Sequence, residues 1–191
     1  VEQIKSQSPL TGDARGSLPS GGEMAAGSNQ NAKPAVGIYH THGAESYVPT
    51  DGTETIDQGG GILQVGDALT RALENKGFDV NHVREPHTPH DAGAYQRSRR
   101  TAEELVTEGD QLIFDVHRDA VPPEEYEETV EGEEVTKILL VLGQQNQNAD
   151  NNRNFAVNLK QIADEEHPGL VKGILGAQGN YNQDLTPQAM L

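Results

Sequence analysis

At 191 residues and 20.6 kDa, the chain suffices for one ordinary α/β domain with a flexible end, but it falls short of a (β/α)8 barrel, which takes about 250 residues. Fourteen Lys and Arg against thirty Asp and Glu give a net charge of −16; such a surface repels phosphate backbones and anionic headgroups, which argues against nucleic acid as a partner. With no Cys there is neither a disulfide framework nor a thiolate metal site, and no apolar run approaches the roughly 18–20 residues of a membrane span, so an ectodomain or a cytosolic domain is expected, with any membrane anchor outside this sequence.

Residues 1–33 are rich in Ser, Gly, Gln, Asn and Ala, without an apolar period that would bury a face, and read as a flexible linker. At Pro34 the texture changes. Ala35 to Tyr39 is a short β-type apolar run that ends in His40-Thr41-His42-Gly43, and it is the first expected core strand. After a Gly- and Thr-rich stretch, Ile62 to Leu73 reads as a helix with Val65, Leu69 and Leu73 on one face and Gly77 as the stop.

Phe78 to Val83 alternates as a strand does, and Tyr95 to Glu108 reads as a second helix, with Asp91 as its N-cap and Gly109 closing it. Gln111 to His117 is the next strand, again with histidine at its carboxyl end. Then comes an acidic interruption from Pro122 to Glu134, where strand-forming residues flank a Glu131-Gly132 turn and predict a small hairpin. The uninterrupted run Ile138 to Gly143 predicts a strand covered on both faces. Asn151 to Glu166 is the third helix, with the Asn-rich stretch from Asn146 as its cap, and Val171 to Leu175 is a last strand. Strands and helices alternating in this way predict a single α/β domain over 34–191, a mostly parallel twisted sheet flanked by helices.

In open α/β sheets functional groups gather at the carboxyl ends of the strands. Two strands here end in histidine, at His40 and His42 and at His117. Glu45 follows His42 by three residues, so His42, Glu45 and His117 are candidate metal ligands: two imidazoles and a carboxylate, a set that catalytic zinc uses while leaving a position for water. The competing reading is that these histidines are buried strand-end residues bonded to backbone. His40 competes with His42, since residues two apart on a strand face the same way; Gly43 lets the chain bend and favours His42 as ligand, with His40 as a supporting or substrate-orienting group. Asp115, two residues before His117, and Asp119 are candidates to orient a ligand imidazole, and Arg118 to bind a carboxylated substrate. His90 lies in a polar loop that is able to line the cleft. His82 and His167 read as structural or solvated. The metallo-β-lactamase motif HxHxDH is absent, because it would need Asp at Ala44 and His at Glu45.

Four segments carry a resemblance: IYHTHGAESYVP (Ile38 to Pro49), FDVHRDA (Phe114 to Ala120), NFAVNLKQIADEEHPGLVKGI (Asn154 to Ile174) and YNQDLTPQAML (Tyr181 to Leu191). In this order they resemble the stage II sporulation protein P family, the peptidoglycan hydrolases of endospore-forming bacteria, related in fold to zinc-dependent N-acetylmuramoyl-L-alanine amidases.

The resemblance implies a phosphorylase/hydrolase-like domain of the amidase type that binds one zinc ion. It would cleave the amide between N-acetylmuramic acid and the stem peptide, with endopeptidase action on peptide cross-links as well. It further implies work with stage II sporulation proteins D and M during engulfment, in the septal space between the mother-cell and forespore membranes, on a protein anchored outside this segment. The family pattern puts metal-binding histidines at His42 and His117. In the family the segment after AML continues as a strand with a glutamate expected to be the general base; this sequence stops at Leu191, so 34–191 reads as a catalytic domain truncated at its C-terminal end and no residue takes that role. A glycan-peptide substrate needs a long groove, for which Gly59 to Gly61 and the acidic hairpin are expected walls and Arg118, His90 and Tyr47 expected substrate contacts. The alternative is a non-catalytic wall-binding or scaffolding module of the engulfment machinery.

Overall fold

The apolar run Ala35–Tyr39 (β1) is the centre of the fold in the computed structural model, which describes residues 34–191; the linker expected over 1–33 lies outside the described residues. Val36 and Ile38 are wholly buried, each side chain contributing about 2 kcal/mol of burial. On one side β1 pairs in parallel with Asp79–His82 (β2) and on the other with Leu112–Asp115 (β3), and β3 pairs in parallel with the two-residue strand Ala189–Met190 (β8). The sheet order is therefore β2-β1-β3-β8.

Beyond it, Ile138–Gly143 (β6) and Val171–Ala177 (β7) form a parallel pair, tied to the first sheet by the Val141 N–H, which donates to Leu191 O at 2.7 Å. The predicted hairpin is present as Glu127–Val130 (β4) and Glu133–Thr136 (β5). Glu131 and Gly132 form its turn, with φ 53° and 88°, the two positive values that match the twist of a two-residue hairpin.

A short helix, Val48–Asp51 (α1), precedes the three predicted ones, Ile62–Asn75 (α2), Ala94–Glu108 (α3) and Ala149–Glu166 (α4). Register assigns them to faces. Tyr39 and Ile113 share one face of the sheet and pack with Ala102 and Leu105 of α3. Ile38, His82 and Phe114 share the other, where Gly66 of α2 meets His82 and Ala156 and Phe155 of α4 pack on Met190 and Phe114. The chain thus steps from β1 to β2 on one side, then back across β1 to β3. Right-handed crossovers put α2 and α3 on opposite faces, and the direction of winding reverses between β1 and β3. No helix among the described residues is long and apolar enough to cross a membrane.

Several local expectations are corrected. The buried stripe of α2 is Ile62, Leu63 and Gly66 with half-buried Leu69 and Leu73, while Val65 is 42% exposed. Strand β6 is not covered on both faces along its length: Leu140 and Leu142 are buried by α4, but Ile138 is 47% exposed where only β7 flanks it. The N-cap of α3 is Gly93, and Asp91 instead accepts the Gly93 N–H and an Arg97 guanidinium N–H, both at 2.8 Å. The N-cap of α4 is Asn148, within the expected Asn-rich stretch, but without a side-chain cap bond; its amide donates to Asp184 O at 2.8 Å.

Gly66 is where α2 comes closest to the sheet. A Cβ there would stand 2.5 Å from the Nε2 atoms of both His40 and His82. Gly66→Ala gains about 1 kcal/mol of helix propensity but overpacks a rigid pair, so a net loss of about 1–3 kcal/mol is expected, read as a lower urea midpoint; a midpoint above the parent's would show that the pair yields.

Candidate active site at the switch point

The carboxyl ends of β1 and β3 meet where the winding reverses, and the side chains there are locked by a buried carboxylate. Asp115, 4% exposed, accepts the Thr41 N–H on Oδ1 at 2.8 Å and the Thr41 hydroxyl on Oδ2 at 2.6 Å. The Thr41 Oγ1 also lies 2.7 Å from Ser98 Oγ of α3. Asp115 Oδ1 is 2.8 Å from His117 Nε2, close but off the line of a good hydrogen bond. Burial alone would raise the Asp115 pKa; the His117 charge and the Thr41 bonds outweigh it and hold the carboxylate below its usual range. Burial likewise opposes a charged His117, and the carboxylates of Asp115, Glu45 and Asp119 reverse that and raise its pKa. The pocket at His117 therefore favours a cation there, proton or metal alike.

Past Tyr39 the chain leaves the strand, and the two histidines part. His40 is fully buried toward α2: its Nδ1–H donates to Val116 O at 2.8 Å and its Nε2 meets His82 Nε2 at 2.8 Å. It does not reach the cleft, and acts on it only through the backbone next to His117. Burial, then the nearby His82, pushes its pKa down to about 4. His42 continues into the cleft. Its ring stacks on His90 at 4.2 Å and meets His117 edge-on at 5.1 Å, and its Nδ1 is buried without a hydrogen-bond partner. Burial, then His117 and His90, pushes its pKa down to about 4, so the ring is neutral near pH 7.

A turn places Glu45 beside them, its N–H donating to His42 O at 3.0 Å. Gly60 packs directly on the Glu45 carbonyl, leaving no room for a side chain, and the Ile62 N–H donates to that carbonyl at 3.1 Å. Glu45 is 6% exposed and its Oε2 accepts the Arg118 N–H at 2.8 Å; burial raises its pKa.

The remaining expected residues sort as follows. His90 is exposed and joins the cluster through its stack on His42. Arg118 lies beside Glu45, but its guanidinium donates to Glu54 O at 2.9 Å. Tyr47, half-buried, is close enough to Glu45 and Arg118 for both to influence its hydroxyl. Asp119 accepts from the Tyr126 hydroxyl and makes no hydrogen bond to an imidazole. Residues that the sequence did not point to include Tyr95, whose ring stands 5.6 Å from His42 and 6.2 Å from His117. His87, in the same loop as His90 and a weaker candidate in the sequence, donates to His40 O at 2.7 Å and meets Thr101 Oγ1 at 2.8 Å, pinning the loop behind the cluster.

The donor chemistry suits zinc: a neutral His42 with an unpartnered Nδ1, a His117 backed by Asp115, and a Glu45 carboxylate. As they stand, however, no three His, Asp or Glu side chains among the described residues converge within reach of one ion.

Because His40 is held neutral down to about pH 4 while an unfolded histidine protonates near 6.5, protons favour the unfolded chain between those values. Stability present above pH 6.5 is lost as pH falls toward 4. The loss is on the order of 3 kcal/mol from this residue. Urea unfolding across pH 4–7 is expected to show it, with a shallower dependence in His40→Gln; equal dependences would refute the assignment.

The family description for stage II sporulation protein P matches residues 2–191. Over 178 aligned residues the chain is 30% identical to the stage II sporulation protein P of Bacillus subtilis (strain 168), an alignment that covers 83% of this chain and 44% of the relative. The chain thus spans less than half the length of that relative. No solved structure matches the chain. On the match along nearly its whole length, the chain belongs to the stage II sporulation protein P family.

Proposed function

We propose that this chain carries the zinc-binding core of a sporulation peptidoglycan hydrolase that cleaves the N-acetylmuramoyl-L-alanine amide, with action on peptide cross-links as a second activity. Family membership supports a sporulation-related role. The observation that carries the chemistry is the clustering of His42, Glu45 and His117 around the switch point of the sheet, with the buried Nδ1 of His42 lacking a hydrogen-bond partner.

His42, His117 and Glu45 would hold the metal. Zinc held there would supply a water of lowered pKa, near about 7, and would polarise the scissile carbonyl. Asp115 sets the orientation of the His117 ring, and Thr41 and Ser98 set Asp115 in turn. The Arg118 N–H holds one oxygen of Glu45 and leaves the other for the cation. His90, Tyr47 and Arg118 are the proposed contacts to the glycan-peptide, and peptidoglycan is the proposed substrate. No described residue is assigned as general base. Met190 lies in register with Phe114, so a chain continuing past Leu191 would run beside Val116 and His117, where the glutamate expected from the family would face the site.

The same reading puts the protein in the septal space during engulfment, beside stage II sporulation proteins D and M. The second reading, a wall-binding module without catalysis, draws on the absence of a closed three-donor group among the described residues.

Metal content measured on protein purified without chelator, for this chain and for a version extended past Leu191, separates the two. About one zinc per chain is expected, lost in His42→Ala and in His117→Ala, with affinity about 10–100-fold lower in Asp115→Asn. The extended chain should release free stem peptide from sacculi; release of a free sugar amine instead would make it a deacetylase. Absence of zinc from both lengths, with sacculi bound but uncut, would favour the binding module.

A further inference from the structure

The rings around His42 and His117 continue outward. Tyr95 stands beside both, and Tyr181 meets Tyr95 in a T-shaped contact at 5.1 Å and 80°. Tyr181 is gripped on three sides. Tyr95 holds one, the hydroxyl donates to Gln178 O at 2.8 Å, and the ring lies over Gly179, where a Cβ would come within 2.9 Å of it. Yet the side chain is only half-buried, so the ring is immobilised without being covered.

Its backbone is held in an unusual state. Tyr181 and Asn182 have φ of 54° and 57°, left-handed conformations that a bulky residue adopts only under strain. Buried polar bonds keep them there: the Asn182 amide donates to Tyr95 O and to Ser98 Oγ, both at 3.2 Å, and the next residue, Gln183, accepts the Gly143 N–H at 2.8 Å. The hydroxyl's partner lies in the loop itself, and the ring is not in the core. Its firm placement at the rim is what a docking platform requires.

We propose that Tyr181 is the platform of a sugar subsite: the exposed face of its ring takes the apolar face of a pyranose of the glycan strand, one ring outward from the reacting centre. This rests on the reading of the site as acting on peptidoglycan. Charge favours a neutral sugar over an anionic stem peptide. Residues 178–184 contain no Lys or Arg, and nearby Arg99 is already paired with Asp184 at 2.9 and 3.0 Å.

Binding is read by isothermal titration calorimetry, which does not depend on the tyrosine being replaced. The full-length protein is titrated with an N-acetylglucosamine tetramer and, separately, with a glycan-free stem peptide; sacculus cleavage, zinc content and melting temperature are measured alongside. Tyr181→Phe is expected to bind the tetramer within about 2-fold of the parent and Tyr181→Ala at least about 10-fold more weakly, both with unchanged zinc. Tyr181→Asn, a residue at ease in this backbone, is expected to lose the same binding while melting no lower than the parent. Parent-like tetramer binding by Tyr181→Ala overturns the proposal, as does a parent that binds the stem peptide but not the tetramer. A parent that binds the tetramer but leaves sacculi uncut overturns the hydrolase reading alone, because the titration does not depend on cleavage.

Discussion

Asp115 is the constraint on which the site depends. A carboxylate this deeply buried is costly unless its oxygens are taken up, and Thr41 takes one with its N–H and the other with its hydroxyl. Those two bonds tie the end of β3 to the first turn after β1, beyond the reach of the parallel ladder itself. The remaining stereochemistry follows from that tie. With Thr41 drawn toward α3, His40 is turned onto the α2 face and His42 is carried forward into the cleft. His117, two residues after Asp115, stands over the same carboxylate.

The two layers around the site do different work. On the α2 side, a polar chain runs from buried His40 through His82 to half-exposed Asp67 and the exposed Arg84, and His40 fixes the backbone at Val116 from behind. On the α3 side, Ser98, Thr101 and Tyr95 support Thr41, His87 and the cleft rings. A site built in this way has its reactive groups on short turns but their orientation on two helices and a sheet, which is how rigid placement is obtained from loops. The carboxylates near His117 favour positive charge there, so a metal ion would have to displace a proton from that ring, while burial keeps His42 neutral and ready to ligate.

Much of the fold was legible in the sequence because its signals are local. Alternation marked β2, the apolar runs marked β1 and β6, and a Glu-Gly pair marked the hairpin turn. Errors came where burial is decided by neighbours distant in sequence. Val65 is as apolar as Leu69, yet the face of α2 that meets the sheet is set by the room Gly66 leaves for His40 and His82. Strand β8 is two residues long, too short for any period, and exists because β3 offers it a ladder.

For the site, the sequence by itself determined the chemistry on offer. It has no thiolate, histidines at the ends of two strands and a glutamate three residues after one of them; those residue types limit a metal to nitrogen and oxygen donors. Gly43 after His42 already favoured it over His40 as the residue facing the cleft, and the tertiary structure supplied what turns the two apart. On an extended strand His40 and His42 face the same way, and they are parted by a bond from Thr41 to a carboxylate 74 residues away. Only the tertiary structure decided the place of the rings at Tyr95 and Tyr181. No spacing in the chain relates them to His42, and they become a wall only because α3 and the loop before β8 pack against the same end of the sheet.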